Sequence, residues 1–249
     1  MENHITHISS KDLEELFTRI KTNILPDTKA RVWPEIQTFL PKGEPAEFYE
    51  IVSDYPTRQG KYLRPSLVLV ACETLGGEKN LAVRSAAAMQ TSEDWILMRD
   101  DWQDGSLERR QKPCSHRIYG DFKANNAADG LHIVMWDMLN KNDDIIGPEK
   151  GRKVRDLFYT MLLKTVEGQH RELDWTEKGK IGLSPEEWYA IADAKTGRYT
   201  IILPLQLGAI VAGADKRLDD IFELGIVLGR AFQLRDDILN VAGDEKKYG

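Results

Sequence analysis

Two acidic clusters, Asp100-Asp101-Trp102-Gln103-Asp104 and Asp236-Asp237-Ile238-Leu239-Asn240, set the first constraint on this chain. Residues four apart on a helix stand one above the other, so Asp100 with Asp104, and Asp236 with Asn240, each present two oxygen ligands from one face. Both clusters close apolar segments. Trp95-Ile96-Leu97-Met98 leads toward Asp100, and Ala231-Phe232-Gln233-Leu234 leads toward Asp236. An isolated acidic pair on a helix is usually a solvated face. Carboxylates beside buried surface are different, because they need a cation or hydrogen-bond donors to stay ionised. Hard oxygen ligands on rigid helices suit Mg²⁺, which keeps several waters and bridges carboxylates to phosphates. Two such clusters in one helical chain point to a cavity that holds a diphosphate through shared metal.

The chain has 249 residues, enough for one large core, and reads as a single domain over 1–249. Its formal net charge of −6 argues against a nucleic-acid partner and makes any basic cluster more informative. Cys72 and Cys114 make neither a disulfide framework nor metal-ligand spacing, which fits a reduced, cytoplasmic protein. The opening residues, Met1 to His7, do not read as a signal peptide. The least polar stretch, Ile201 to Ala214, carries Pro204 and Gln206 and is too short to span a bilayer.

Helical signals run almost the whole length, so the expected fold is all-α. Ser9 or Ser10 caps a helix through Ile24 with Leu13, Leu16, Phe17 and Ile20 on one stripe. Shorter helices are expected over Arg31–Leu40 and Ala46–Tyr55. Pro65 suits the first helical position of a segment that stops at Gly76-Gly77. A long helix covers Leu81–Asp104, followed by a basic loop or helix end to Lys112. Further helices are expected over Pro113–Tyr119, Ala124–Leu139 and Pro148–Trp175, with a turn at Asn140–Asp144. Ser184-Pro185-Glu186-Glu187 is a capping box that starts a helix to Ala194. Lys195-Thr196-Gly197 should disturb it, and two apolar helices, Tyr199–Ala214 and Asp219–Val241, complete the chain. No alternating strand pattern or internal repeat is expected.

Three basic patches complement the acidic clusters. Gly60-Lys61-Tyr62-Leu63-Arg64-Pro65 places Lys61 and Arg64 at a helix N-terminus, where free amides and cations favour a diphosphate. Arg109-Arg110-Gln111-Lys112 follows Asp104 closely, and Lys195-Thr196 sets a cation and a hydroxyl beside a flexible glycine. Each alone is an ordinary solvated turn or loop. Together they could serve two polyanionic substrates, one held through metal and one by Lys and Arg alone.

In this order and spacing the motifs resemble the trans-type isoprenyl diphosphate synthases of the short-chain, farnesyl or geranylgeranyl type. Asp100-Asp101-x-x-Asp104 with Arg109-Arg110 resembles the family's first aspartate-rich motif. Phe232-Gln233-Leu234-Arg235-Asp236-Asp237-x-x-Asn240 resembles the second, and Gly60-Lys61-x-x-Arg64-Pro65 and Lys195-Thr196-Gly197 resemble the two other signatures. The resemblance covers Gly60 to Gly249 and implies the isoprenoid synthase fold, a helical bundle around a deep apolar cavity, in a homodimer. It also implies Mg²⁺, three ions with substrate bound, with Mn²⁺ an alternative. The ligands would come from Asp100, Asp104 and Asp236, supported by Asp101, Asp237 and Asn240.

The implied reaction joins isopentenyl diphosphate head-to-tail to an allylic primer: dimethylallyl, geranyl or farnesyl diphosphate. Arg109, Lys195 and Gln233 would serve the departing diphosphate, and Thr196 would stabilise the cation or the leaving group. Lys61, Arg64 and Arg110 would hold isopentenyl diphosphate. Trp95 lies five residues before Asp100, where a large aromatic acts as a cavity floor, and with Ile96 would limit products to about C15–C20. The chain departs from the family pattern at four positions. Glu93, near the expected isopentenyl diphosphate site, and Arg99 each stand where His is common; Gln111 stands for Gly, and Asn240 for Asp. Relatives would be expected to continue for several helices beyond Gly249. A terpene cyclase-like or head-to-head condensing enzyme would share the metal clusters without needing the Lys61–Arg64 motif, and a non-catalytic partner subunit is the other alternative.

Overall fold

The structure, a computed structural model, describes residues 9–243 apart from the side chain of Asn240. Met1 to His7, where a signal peptide was not expected, and Gly249 lie outside the described residues. Helix α1 (Ser10–Arg19) begins on the expected cap: the Asp12 amide donates to Ser9 Oγ at 3.2 Å, and the Ser9 amide donates to the Asp12 carboxylate at 3.0 Å. The expected break near Ile24 does not occur. A π-helical turn, Ile20–Ile24, carries the helix into α2 (Leu25–Phe39), where Pro26 occupies the first turn. Pro26 follows directly on the π-helical turn, whose wider hydrogen-bond spacing accommodates a residue without an N–H.

The next helices follow the expected order with shifted ends. They are α3 (Ala46–Arg58) and α4 (Leu63–Thr74), then, after a 3₁₀ turn at Lys79–Ala82, α5 (Val83–Gln103). Helix α4 starts two residues before Pro65, which still lies in the first turn. Tyr62, buried at φ 60°, turns the chain into that helix from the left-handed region.

The stretch after α5 is not a helix end. Strands β1 (Glu108–Arg109) and β2 (Lys112–Pro113) pair antiparallel around Arg110 and Gln111. Both turn residues have positive φ, 55° and 63°, as a two-residue hairpin with the right twist requires. Gln111 thus stands at a position that favours Gly, which gives the departure a physical cost. The polar loop signal was real, but the pairing depends on Arg58 of α3. Its guanidinium donates to the carbonyls of Arg109 at 3.1 Å and Pro113 at 2.9 Å.

Helices α6 (Ser115–Tyr119), α7 (Asp121–Asn140), α8 (Asp143–Ile146) and α9 (Pro148–Glu177) follow. The turn expected at Asn140–Asp144 is found at Lys141-Asn142, between the end of α7 and the start of α8. Helix α10 (Pro185–Ile191) carries the expected Ser184–Glu187 capping box. The disturbance expected at Lys195 is a π-helical segment, Ala192–Ile202, which leads into α11 (Leu203–Ala212) and, past Asp215–Arg217, α12 (Leu218–Ala242).

Helix α5 is the central element, packed on α2, α3, α4 and α7. Its residues Ser85 to Ser92 are all buried, and the small side chains Ala86, Ala87 and Ala88 let neighbouring helices approach closely. Leu131 and Met135 of α7, Phe158 of α9 and Leu207 of α11 complete the core. No helix of the described residues is long and apolar enough to cross a membrane.

A close helix crossing positions the site. Helix α12 lies against the π-helical segment with Gly229 over Gly197, and a Cβ added at Gly229 would meet the Gly197 Cα at 2.3 Å. Backbone cannot yield as a flexible side chain can. Gly229→Ala should therefore lower stability by about 1–3 kcal/mol. In a thermal melt that corresponds to a fall of roughly 2–4 °C per kcal/mol. An unchanged melting temperature would mean that the crossing is loose.

Candidate active site

A cavity of 320 Å³ opens between α5, α9 and the π-helical segment, within the range of small-molecule sites. Trp95 and Ile96 line its apolar part, with Val166 of α9. Asp100, Lys195 and Thr196 line its polar part. The last three come from two motifs far apart in sequence, and Lys195 joins them. Its ammonium lies 3.5 Å from Asp100 and donates to Glu172 of α9 at 2.8 Å. Burial alone would pull Lys195 down, but Asp100 and Glu172 outweigh it and hold the ammonium above its usual pKa.

The π-helical segment also reaches the second acidic cluster. Thr196 Oγ1 donates to Gln233 Oε1, and Gln233 Nε2 donates to Asp237 at 2.8 Å. The other oxygen of Asp237 accepts from the Trp188 indole N–H at 2.8 Å. The two acidic clusters are thus bridged through Lys195 and Thr196. A π-helix adds residues per turn, which allows two adjacent side chains to serve both walls.

Asp104 and Asp236 are both raised above the usual carboxylate range. Partial burial is the larger cause in each, followed by the neighbouring carboxylates Asp100 and Asp237 respectively. These oxygens therefore sit where a cation would relieve them. Among the described residues no three His, Cys, Asp or Glu side chains form a preassembled cage. Mg²⁺ itself takes one or two carboxylates and completes its shell with water and substrate phosphate. Asp100, Asp104 and Asp236 fit as such a donor set. The Asn240 side chain, expected to add an oxygen, lies outside the described residues.

Other expected site residues have internal partners. Asp101, adjacent to Asp100, is fully buried and turned toward Tyr55 and Arg109. It accepts from the Tyr55 hydroxyl at 2.5 Å and from Arg109 Nε at 3.1 Å on each oxygen. Arg109 is thus bound to the first motif it follows. Arg110 donates to Asp94 at 2.7 Å and to the Tyr55 carbonyl at 2.8 Å, and packs over Gly60. Arg64 pairs with Glu93 at 2.9 Å, donates to Thr200 at 2.9 Å and lies over the Tyr199 ring. Burial pushes the Asp94 carboxyl up, to about 7, against the pull of Arg110. Lys61 is exposed at the mouth of α4, and its charge reaches Asp236.

Trp95 is backed by residues that local patterning did not single out. Its ring lies 4.5 Å from that of His132 on α7, and His132 accepts from Trp136 at 2.9 Å. Burial lowers the His132 pKa, which keeps the imidazole neutral for that contact. Glu172 and Trp188 were missed as well. The i, i+3 spacing of Gln169 and Glu172 was visible, but their meeting with Gln103 and Lys195 depends on helix packing.

The sequence profile described as Polyprenyl synthetase matches residues 45–249. The chain belongs to the polyprenyl synthetase family. A geranylgeranyl diphosphate synthase of Saccharolobus solfataricus is 29% identical over 242 residues, which cover 97% of this chain and 70% of that relative. A geranylfarnesyl diphosphate synthase of Aeropyrum pernix is 30% identical over 194 residues, 76% of this chain and 60% of that one. The crystal structure of geranylgeranyl pyrophosphate synthetase from Pyrococcus horikoshii Ot3 aligns with a TM-score of 0.83 at 30% identity, over 94% of this chain and 69% of that one. The helical fold of this polyprenyl synthetase is therefore shared with solved isoprenoid synthases.

The neighbours Asp100 and Asp101 should respond differently to truncation. Asp101→Ala strands the Tyr55 hydroxyl and Arg109. It should lower stability by about 2–4 kcal/mol, less than a fully buried pair because Arg109 is a third exposed. Asp100→Ala should leave the denaturation midpoint within the error of chemical unfolding. Equal losses from both would contradict the different partners of the two side chains.

Proposed function

We propose that this polyprenyl synthetase is a short-chain prenyltransferase that condenses isopentenyl diphosphate head-to-tail with an allylic diphosphate. The observation that carries the reading is the bridge: Lys195 meets Asp100, Thr196 meets Gln233, and both line one cavity that Trp95, Ile96 and Val166 line as well. A diphosphate beside the polar residues and a prenyl chain along the apolar ones fit that lining. The relatives named as geranylgeranyl and geranylfarnesyl diphosphate synthases support the same class, with products in the C15–C25 range.

Asp100, Asp104 and Asp236 would hold Mg²⁺ at the allylic diphosphate, with Asp101, Asp237 and Asn240 in support. When bound, Mg²⁺ neutralises charge on the leaving diphosphate. Lys195, held ionised by Asp100 and Glu172, adds positive charge on the same side, and Arg109 lies behind it on Asp101. The C1–O bond breaks with its electron pair leaving on diphosphate. The double bond of isopentenyl diphosphate attacks the allylic C1, and transfer of a proton to the released diphosphate restores an alkene. Lys61, Arg64 and Arg110 would hold the isopentenyl diphosphate. Glu93 and Asp94 share two of those cations, so the incoming anion meets a site already partly compensated. Trp95, supported by His132, would close the cavity with Ile96 and favour shorter products. A homodimer, Mn²⁺ as an alternative metal and a cytoplasmic location belong to the same reading.

Purified protein supplied with labelled isopentenyl diphosphate, an allylic primer and Mg²⁺ should yield chain-extended product. Turnover of primer alone would mark a cyclase, and no turnover a partner subunit; either result would overturn the proposal. Chelation should stop extension. Asp100→Ala or Asp104→Ala should reduce kcat by about 10²–10³-fold or more. In a product-length assay, Trp95→Ala should add at least one isoprene unit, and an unchanged distribution would show that the floor lies elsewhere.

A further inference from the structure

Three carboxylates of α5 pair with arginines among the described residues, and of these only Glu93 does so on the cavity wall. Asp94 and Asp101 are closed off behind it, with side chains 1% and 0% exposed. Glu93 and its partner Arg64 both line the cavity and keep 16% and 22% exposure. Their contact, 2.9 Å from Arg64 Nη1 to Glu93 Oε1, therefore faces any anion that enters. Such an anion meets a cation that attracts it and, on the same contact, a carboxylate that repels it.

Arg64 does not depend on Glu93 for its place. Its Nη2 donates to Thr200 at 2.9 Å, and its guanidinium carbon lies 5.0 Å from the centre of the Tyr199 ring. Tyr199 is itself buried and hydrogen-bonded to Ser92 at 2.8 Å, so this backing is fixed. Arg64 Nε is buried and finds no acceptor among the described residues. A guanidinium has five N–H donors, so Arg64 can take an anion in addition to Thr200 and gain a bond it now lacks. What Glu93 adds at this contact is negative charge.

We infer that Glu93 is a specificity-determining residue: it competes with the head group of isopentenyl diphosphate for Arg64, and so makes the second substrate site select against charge. The inference deepens the proposed prenyltransferase reading and rests on its assignment of Arg64 to that head group. The carboxylate stays beside Arg64 as the head group approaches, and its repulsion grows with every negative charge the head group carries. At such low exposure salt and water screen the pair little. Of the three cations assigned to the head group, Arg64 and Arg110 are compensated by Glu93 and Asp94. Lys61 alone pairs with no carboxylate among the described residues, so the site suits a head group of low charge.

Steady-state kinetics with isopentenyl diphosphate, a primer and saturating Mg²⁺ tests this in Glu93→Gln, which keeps an oxygen for Arg64 and removes only the charge. KM for isopentenyl diphosphate should fall about 30-fold, with kcat and the primer's KM changed by less than about threefold. Isopentenyl monophosphate, supplied as a competitor, carries less charge, so its inhibition constant should fall only about tenfold. Glu93→Asp keeps the charge and should hold KM within about threefold of the unsubstituted protein. If Glu93 merely held Arg64 in place, Glu93→Gln would leave KM unchanged or raise it, and that result overturns the inference. Equal gains for the diphosphate and the monophosphate also overturn it, because the gain then does not follow charge. If the unsubstituted protein extends no primer, the proposed function fails. Equilibrium binding of isopentenyl diphosphate to both proteins, with chelator present, then decides the inference, and no gain in affinity in Glu93→Gln overturns it.

Discussion

Three acidic side chains of α5 enter the interior or its edge, and each is matched by an arginine from elsewhere in the chain. Glu93 meets Arg64 at the start of α4, Asp94 meets Arg110, and Asp101 meets Arg109. A buried carboxylate without such a partner would be protonated or would destabilise the fold. This matching dictates much of the architecture around the cavity. It draws the N-terminus of α4 against α5 and folds the β1–β2 hairpin back over the helix it has just left. Arg58 of α3 donates to the carbonyls of the same hairpin, and the Tyr55 carbonyl accepts from Arg110 at its turn.

Asp100, which lines the cavity, and Asp104, at the end of α5, pair with no arginine among the described residues. Asp100 lies 3.5 Å from Lys195, and Asp104 is raised by burial and by Asp100. One helix therefore carries two kinds of carboxylate within five residues. Asp101 is held and compensated from inside, whereas Asp100 and Asp104 remain open to a cation and its anionic ligand. The single-residue alternation follows from helix geometry, since adjacent residues point about 100° apart.

The π-helical segment carries the other half of the site. Its close approach to α12, at Gly197 and Gly229, lets Thr196 reach Gln233 while Lys195 reaches Asp100. A regular helix in that place would present these side chains from a tighter spiral. Trp95 lines the same cavity, and its ring lies tilted against that of His132 on α7. Polar chemistry and steric limits are thus built from different helices and meet along α5.

Much of this was legible locally. The caps at Ser9 and Ser184, the run of helices, the two acidic clusters and the Lys195-Thr196-Gly197 disturbance all arise from interactions within a few residues, where spacing alone specifies the geometry. The stop expected at Ile24 failed because a π-helical turn carries the chain past Pro26 into α2, and the hairpin escaped notice because its clamp, Arg58, lies in another helix. The sequence by itself determined which residues are chemically able to bind metal and diphosphate, and on which helix faces they stand. Only the tertiary structure decided which cation meets which carboxylate, and that Glu172, His132 and Trp188 join the site. Charge compensation and hydrogen bonding act over about 3–4 Å, and those distances are set by packing between residues far apart in the chain.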